Sequence, residues 1–201
     1  MEVVTGSAGF LGGAVAEALR AQGHTVRGLD IRDADIVADI DSPGAWQEQV
    51  RGDVVIHTAA AVGMPSDAAH FWRINTLGTR HVLDAAIRNG ARRFVLFSSV
   101  TVFGNDFPDQ VTEDYPTRAT GVPYADSKIA AEHLCLDSHI RHGIEVTIVR
   151  PGDVYGPGSR PWTLLPIEMI RSRRVAVPRT GIHSPVYVSD VVDGVLKAAT
   201  T

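Results

Sequence analysis

A single cysteine, Cys135, stands in 201 residues, which excludes an internal disulfide; its place inside a helical pattern reads as a small buried side chain. No apolar run is long enough to cross a bilayer, because each is broken by Gly, Arg or Asp. The N-terminus, MEVVTG, has neither a basic region nor an apolar core, so no secretory signal is visible and a cytoplasmic location is expected. Neither sign of charge dominates: 19 basic against 23 acidic residues leave a formal net charge of −4, spread along the chain, so nucleic acid is not an expected partner. The densest basic run, Arg171-Ser172-Arg173-Arg174, reads as a solvated helix end. No cluster of His, Cys and carboxylate has metal-ligand spacing, and no metal is expected. Internal repeats and low-complexity segments are also missing.

What the chain does have is 44% hydrophobic residues in an order that alternates β-branched runs with helical ones. Strands are predicted at Glu2 to Thr5, Thr25 to Asp30, Asp35 to Ala38, Asp53 to His57, Arg93 to Ser98 and Ile144 to Val149, several of them apolar on both faces. Helical spacing runs over Phe10 to Gln22, ending at Gly23, and further helices are predicted at Ala68 to Asn89, Tyr124 to His142, Trp162 to Arg173 and Ser189 to Ala199. Strands followed by helices, repeatedly, predict an α/β fold: a Rossmann-type doubly wound parallel sheet with helices on both faces.

Directly after the first strand comes Thr5-Gly6-Ser7-Ala8-Gly9-Phe10-Leu11-Gly12, running into a helix. In that context Gly6 allows a tight turn, Gly9 lets backbone approach a pyrophosphate, and Gly12 lets helix and sheet pack closely, while the helix N-terminus attracts negative charge. Asp30 ends the second strand and is suited to accept adenosine ribose hydroxyls. Its carboxylate would repel a 2′-phosphate, so NAD is the expected cofactor; Arg32, two residues on, could pair with such a phosphate and keeps NADP as the alternative. Asp39-Ile40 closes the third strand within reach of an adenine edge.

Tyr124 and Lys128 lie one helical turn apart and share a face. A phenol near pKa 10 is a poor acid or base at neutral pH, and a neighbouring ammonium would lower that value. The segment 104–123, rich in Pro, Gly and Asp, is predicted to be a long loop leading into this pair, the kind of loop that serves a site.

The chain resembles the extended branch of the short-chain dehydrogenase/reductase superfamily, the NAD-dependent epimerase/dehydratase family, nearly end to end. The resemblance rests on TGSAGFLG at 5–12, LDIR at 29–32, ADI at 38–40, VIHTAA at 55–60, INTLGT at 74–79, FSSVTVFG at 97–104, YADSK at 124–128, RPGDVYGPG at 150–158 and PVYVSDVV at 185–192. It implies a catalytic set of Ser99, which hydrogen-bonds the substrate oxygen, Tyr124, which exchanges the proton, and Lys128, which binds the nicotinamide ribose. It further implies that Phe10, Leu11, Ile31, Arg32, Ile40, Thr58, Ala59, Ala60, Asn75, Ser98, Pro151 and Val154 join Gly6, Gly9, Gly12, Asp30 and Asp39 around the dinucleotide. His57 reads as packing.

The implied function is hydride transfer between a nicotinamide cofactor and an alcohol or ketone carbon of a small substrate such as a nucleotide-sugar, by an oxidoreductase, epimerase or dehydratase. The alternatives are a non-catalytic NAD(P)-binding module, serving as a redox sensor or interaction protein, or a truncated inactive family member. Phe103 replaces the family's usual tyrosine, Asp153 stands where many relatives have asparagine, and Ser189 replaces an acidic residue, where it would serve as a helix N-cap. Residues 1–158 are expected to form the dinucleotide-binding domain with the catalytic residues, and 159–201 part of a substrate-binding lid packed on it. The rest of the family's C-terminal substrate lobe is largely absent from these residues. The resemblance implies a homodimer formed through helices 68–89 and 124–142.

Overall fold

The computed structural model describes residues 1–63, 67–104, 106–174 and 183–200. Asn105 of the predicted loop, and residues 175–182 and 201 of the expected lid segment, lie outside these. Six parallel strands, β1 (Glu2–Thr5), β2 (Val26–Asp30), β3 (Ile36–Val37), β4 (Val54–His57), β5 (Arg93–Phe97) and β6 (Glu145–Val149), form one sheet in the order β3-β2-β1-β4-β5-β6. The chain winds outward from β1 to β3, then returns to β4 on the other side of β1. Such a reversal opens a crevice at the carboxyl ends of the two central strands. Here those ends are Thr5 and His57, paired in register.

Alternation along the central strands divides the core. Val3, Val55, Phe94 and Leu96 face helices α3 (Thr79–Arg88) and α4 (Pro123–His142), whose Leu83, Ala86, Ala131 and Cys135 complete one fully buried cluster. Val4, Ile56, Val95 and Phe97 point the opposite way, onto Val15 and Leu19 of α1 (Phe10–Ala21) and Val191 and Val195 of α6 (Val188–Thr200). Adjacent strand residues thus serve opposite layers, as a sheet covered on both faces requires. Burial pushes the Cys135 thiol up to about 12, so the lone cysteine is an inert core side chain.

Helix ends follow from local chemistry. After α1, Gly23 takes φ +86°, its N–H reaches the Arg20 carbonyl and the His24 N–H the Leu19 carbonyl, the double bond of a left-handed C-terminal cap. Helix α4 starts with Pro123 in its first turn and ends at Gly143, φ +71°. The carboxylate of Asp126 accepts from the N–H groups of Thr120 and Gly121, both at 3.0 Å, and so ties the preceding loop to the turn that carries Tyr124.

Four features differ from the sequence reading. The helix expected over 68–89 is α2 (Ala68–Phe71), a π-helical stretch (Trp72–Gly78) and α3 in succession, and the Thr79 hydroxyl bonds the Asn75 carbonyl within that stretch. The helix expected over Trp162 to Arg173 likewise splits into a π turn (Arg160–Leu164) and α5 (Leu165–Arg171). Two three-residue strands not expected from sequence, β7 (Asp153–Tyr155) and β8 (Pro185–Tyr187), pair in parallel as a separate small sheet. Finally, Ser189 is no N-cap: α6 begins at Val188, and the Ser189 hydroxyl turns to Asp190. Among the described residues no helix is long and apolar enough to cross a membrane.

Candidate functional site

The glycine cradle is sterically defined. Gly6 sits at φ +71°, and a Cβ there would lie 2.7 Å from both the Ala59 nitrogen and Thr58 Oγ1. At Gly12 a Cβ would come within 2.2 Å of the Gly6 carbonyl oxygen. Both positions exclude any side chain, which brings helix α1 onto the β1 turn and both of them against the Thr58-Ala59 backbone. The Thr58 hydroxyl donates to the Thr5 carbonyl at 2.7 Å and locks that second wall. Gly9 is the N-cap of α1, whose amino end has no side-chain cap and no acidic residue in its first turn. Its unpaired N–H groups and dipole therefore suit an anion such as a pyrophosphate. Phe10 and Leu11 pack their side chains against the α1-side core.

Asp30 forms the rim. One carboxylate oxygen accepts from the Ala8 N–H in the glycine turn at 3.0 Å and the other from Ile31 N–H at 2.7 Å, so the side chain is held in place beside the cradle with lone pairs to spare. Ile31 and Arg32 are exposed next to it. Asp39 is exposed and accepts from the Asp41 N–H, whereas Ile40 is 4% exposed and packs in the core. Ala60 is half-buried beside Ala59.

Ser99, Tyr124 and Lys128 converge on the carboxyl end of β5. Tyr124 meets the Phe71 ring edge-on at 5.8 Å, close enough to Ser99 for that hydroxyl to act on its phenol. Lys128 is 5% exposed, and its ammonium donates to the Phe97 carbonyl at 2.8 Å, two residues before Ser99. An ammonium carries three donors, and no other acceptor among the described residues takes the remaining two. Burial pushes the Lys128 pKa down to about 8, although Glu132 pulls it back up. Burial also pushes the Tyr124 phenol above its ordinary value, while Ser99 draws it down. Here the geometry departs from the sequence reading: with its ammonium on Phe97, Lys128 does not by itself lower the tyrosine.

Ser98, 5% exposed, has a buried hydroxyl with no partner among the described residues. A buried orphan hydroxyl costs free energy unless something else bonds it. The unfilled Lys128 donors, this hydroxyl and the bare α1 terminus together fit a polar cofactor lying across the sheet's carboxyl edge. Asn75 serves differently. Its side chain is fully engaged, accepting from Ala61 N–H at 2.8 Å and donating to Ala61 O and Ser127 Oγ, so it braces the loop after β4 against α4. Pro151 accepts from the Val100 N–H at 3.1 Å, joining the strand after β6 to the Ser99 turn; Val154 buries its side chain in the core.

His57 is 1% exposed between Thr5 Oγ1 at 2.7 Å and Thr79 Oγ1 at 2.9 Å. Burial, then Lys128, pushes its pKa down to about 3, and it is a neutral packing residue, as expected. Phe103 lies under the Arg150 guanidinium, 5.0 Å from its centroid, so its ring has a structural task that needs no hydroxyl. Asp153 bonds His183, which in turn stacks with Trp162 at 5.0 Å. Sequence reasoning missed Thr101, which bonds Ser99, and Phe71; a Thr two residues from a candidate serine in a tight turn was the available signal for the first.

The model of the NAD dependent epimerase/dehydratase family matches residues 3–201. This chain belongs to that family. A dTDP-glucose 4,6-dehydratase of Streptomyces griseus is 33% identical over 92% of the chain, and a UDP-glucose 4-epimerase of Mycolicibacterium smegmatis is 29% identical over 98%. The solved structure of MoeE5 in complex with UDP-glucose and NAD superposes with a TM-score of 0.84 at 30% identity, covering 100% of this chain. The chain spans 62%, 72% and 72% of those three proteins, respectively. In this epimerase/dehydratase family member the six-stranded parallel sheet, the glycine cradle and the Ser99 turn stand in one continuous match.

Proposed function

We propose that this chain is the NAD-binding and catalytic part of an enzyme that oxidises or reduces an alcohol or ketone carbon of a nucleotide-sugar. The observation that carries the reading is the convergence of the Tyr124 phenol and the Lys128 ammonium on residues 97–99, next to a cradle that admits no side chain. Relatives that act on dTDP- and UDP-sugars, and a neighbour solved with UDP-glucose and NAD, support the substrate and cofactor classes.

In this reading the α1 amino end and the glycine turn hold the pyrophosphate, Asp30 the adenosine ribose, and Lys128 and Ser98 the nicotinamide half. Bound NAD would supply two-electron hydride exchange. Ser99 orients the substrate oxygen by hydrogen bond, and Tyr124 moves the proton to or from that oxygen. Because burial alone raises the phenol, Tyr124 is protonated at neutral pH in the free protein. It reaches a useful acidity only once positive charge arrives beside it.

Tyr124→Phe should abolish turnover of UDP- or dTDP-sugars, a loss of at least about 10²-fold, while NAD affinity stays within about threefold. Retained turnover would remove Tyr124 from its role. A homodimer is the companion proposal: Leu136 and Ile140, 46% and 81% exposed, lie one turn apart on α4. Ile140→Glu should then yield a monomer by sedimentation where the parent is a dimer.

A further inference from the structure

The Ser99 hydroxyl is already engaged inside the protein. Its Oγ accepts from the Thr101 N–H at 3.2 Å and lies 3.0 Å from Thr101 Oγ1. A serine hydroxyl has two acceptor sites and one proton. The Thr101 N–H takes the first acceptor site without choice. The Thr101 hydroxyl has no other hydrogen-bond partner among the described residues, so it is free to donate into the second. The serine proton is then the one part of the group left, and Ser99 is the group that draws the buried Tyr124 phenol down.

We propose that Thr101 is a positioning residue that fixes the polarity of a hydrogen-bond chain, Thr101 to Ser99 to Tyr124, so that Ser99 acts only as a donor towards the tyrosine oxygen or a substrate oxygen. This deepens, and rests on, the proposed proton-transfer role of Tyr124. Chains of hydroxyls polarise one another, and a serine that receives two hydrogen bonds is a stronger donor than one that receives a single bond. The reverse orientation, Ser99 donating to Thr101, would turn the proton away from the site. The turn favours the first: Ser99 has extended backbone as the N-cap of the short 3₁₀ turn Val100–Phe103, which aims its oxygen at the Thr101 N–H and keeps the side chain at that spot. The Phe71 ring from α2, which is not titratable, stands edge-on to Tyr124, and Lys128 follows one turn along α4.

The test is the phenol titration of Tyr124, followed by NMR on tyrosine labelled with carbon-13 at the ring hydroxyl carbon and assigned by the signal lost in Tyr124→Phe. It needs no substrate. Thr101→Val keeps the shape and removes the hydroxyl. Its Tyr124 midpoint should move up, corresponding to a threefold to tenfold weaker phenolate, about the worth of one neutral hydrogen bond. Thr101→Ser should restore the parent value, and Thr101→Val added to Ser99→Ala should change nothing further. If Val disturbs the fold, Thr101→Ala takes its place in the same series. An unmoved midpoint, a Thr101→Ser variant as perturbed as the Val one, or an equal shift on the Ser99→Ala background would each overturn the relay. NAD binding by the parent chain is measured in parallel. Its failure would count against the proposed function, whereas the titration series judges the relay itself.

Discussion

Arg150 and Glu132 form a two-pronged ion pair, Nε to Oε1 at 2.9 Å and Nη2 to Oε2 at 2.8 Å. The remaining Arg150 nitrogen, Nη1, donates to the Glu113 carbonyl at 2.8 Å, and the guanidinium covers the Phe103 ring. One side chain just after β6 therefore fastens helix α4, the loop that precedes it and the end of the Ser99 turn. Glu132 is 2% exposed, whereas the Arg150 side chain keeps 19% of its surface, so it is the carboxylate that is cut off from water. Arg150→Ala leaves the buried Glu132 carboxylate without its paired charge and should destabilise the fold by about 3–5 kcal/mol. Urea unfolding of the variant beside its parent checks this; a loss below about 1 kcal/mol would match only an exposed pair.

Lys128 is retained at a cost. Its pKa is about 8 in the fold and near 10.5 in the unfolded chain, so the native state binds fewer protons between those values. Stability should therefore rise with pH across that window, and the penalty is fully present below pH 8. Lys128→Met, which removes the buried charge, should be more stable than the parent at pH 7 by about 1–3 kcal/mol and lose both turnover and NAD affinity. Equal or lower stability at pH 7, read by thermal unfolding, would contradict the buried-charge account.

His57 contributes in the acid range. Its pKa falls from 6.5 to about 3 on folding, so the unfolded chain binds a proton that the native imidazole does not. The stability it contributes is fully present above pH 6.5 and is lost as pH falls from there towards 3, up to about 4 kcal/mol. His57→Gln should flatten that part of the stability profile while lowering its neutral plateau. A parent profile level between pH 6.5 and 4 would refute the assignment.

Gly12→Ala should be strongly disruptive, because the new carbon meets the Gly6 carbonyl at 2.2 Å and Thr58 Oγ1 at 2.5 Å. Backbone, not a flexible side chain, would have to move. A loss of about 3 kcal/mol and of NAD binding is expected, against little change for Gly194→Ala, where a Cβ meets nothing within 4 Å.

The alternation of β-branched runs and helical spacing made the six-stranded sheet legible in sequence, and all six strands lie within one residue of their predicted ends. The glycine turn was legible because its spacing follows a strand and opens a helix. The strands β7 and β8 were not, since Asp-Val-Tyr and Pro-Val-Tyr are three residues long and pair over a distance of 32 positions. The π stretch was hidden because its Asn75 and Thr76 side chains find partners up to 52 residues away, which spacing does not show. Tyr124 and Lys128 could be placed on one face from their spacing. That the ammonium goes to the Phe97 carbonyl, leaving the phenol raised, depends on how far β5 reaches beneath the helix, which spacing does not carry.

The central claim, an NAD cradle read by Asp30, is tested most directly by calorimetric titration of the chain with NAD⁺ and, separately, NADP⁺. Micromolar NAD⁺ binding, about 8 kcal/mol, with NADP⁺ at least about tenfold weaker and that preference lost in Asp30→Ala, is the predicted result. Equal affinity for the two, or binding of neither, would contradict it.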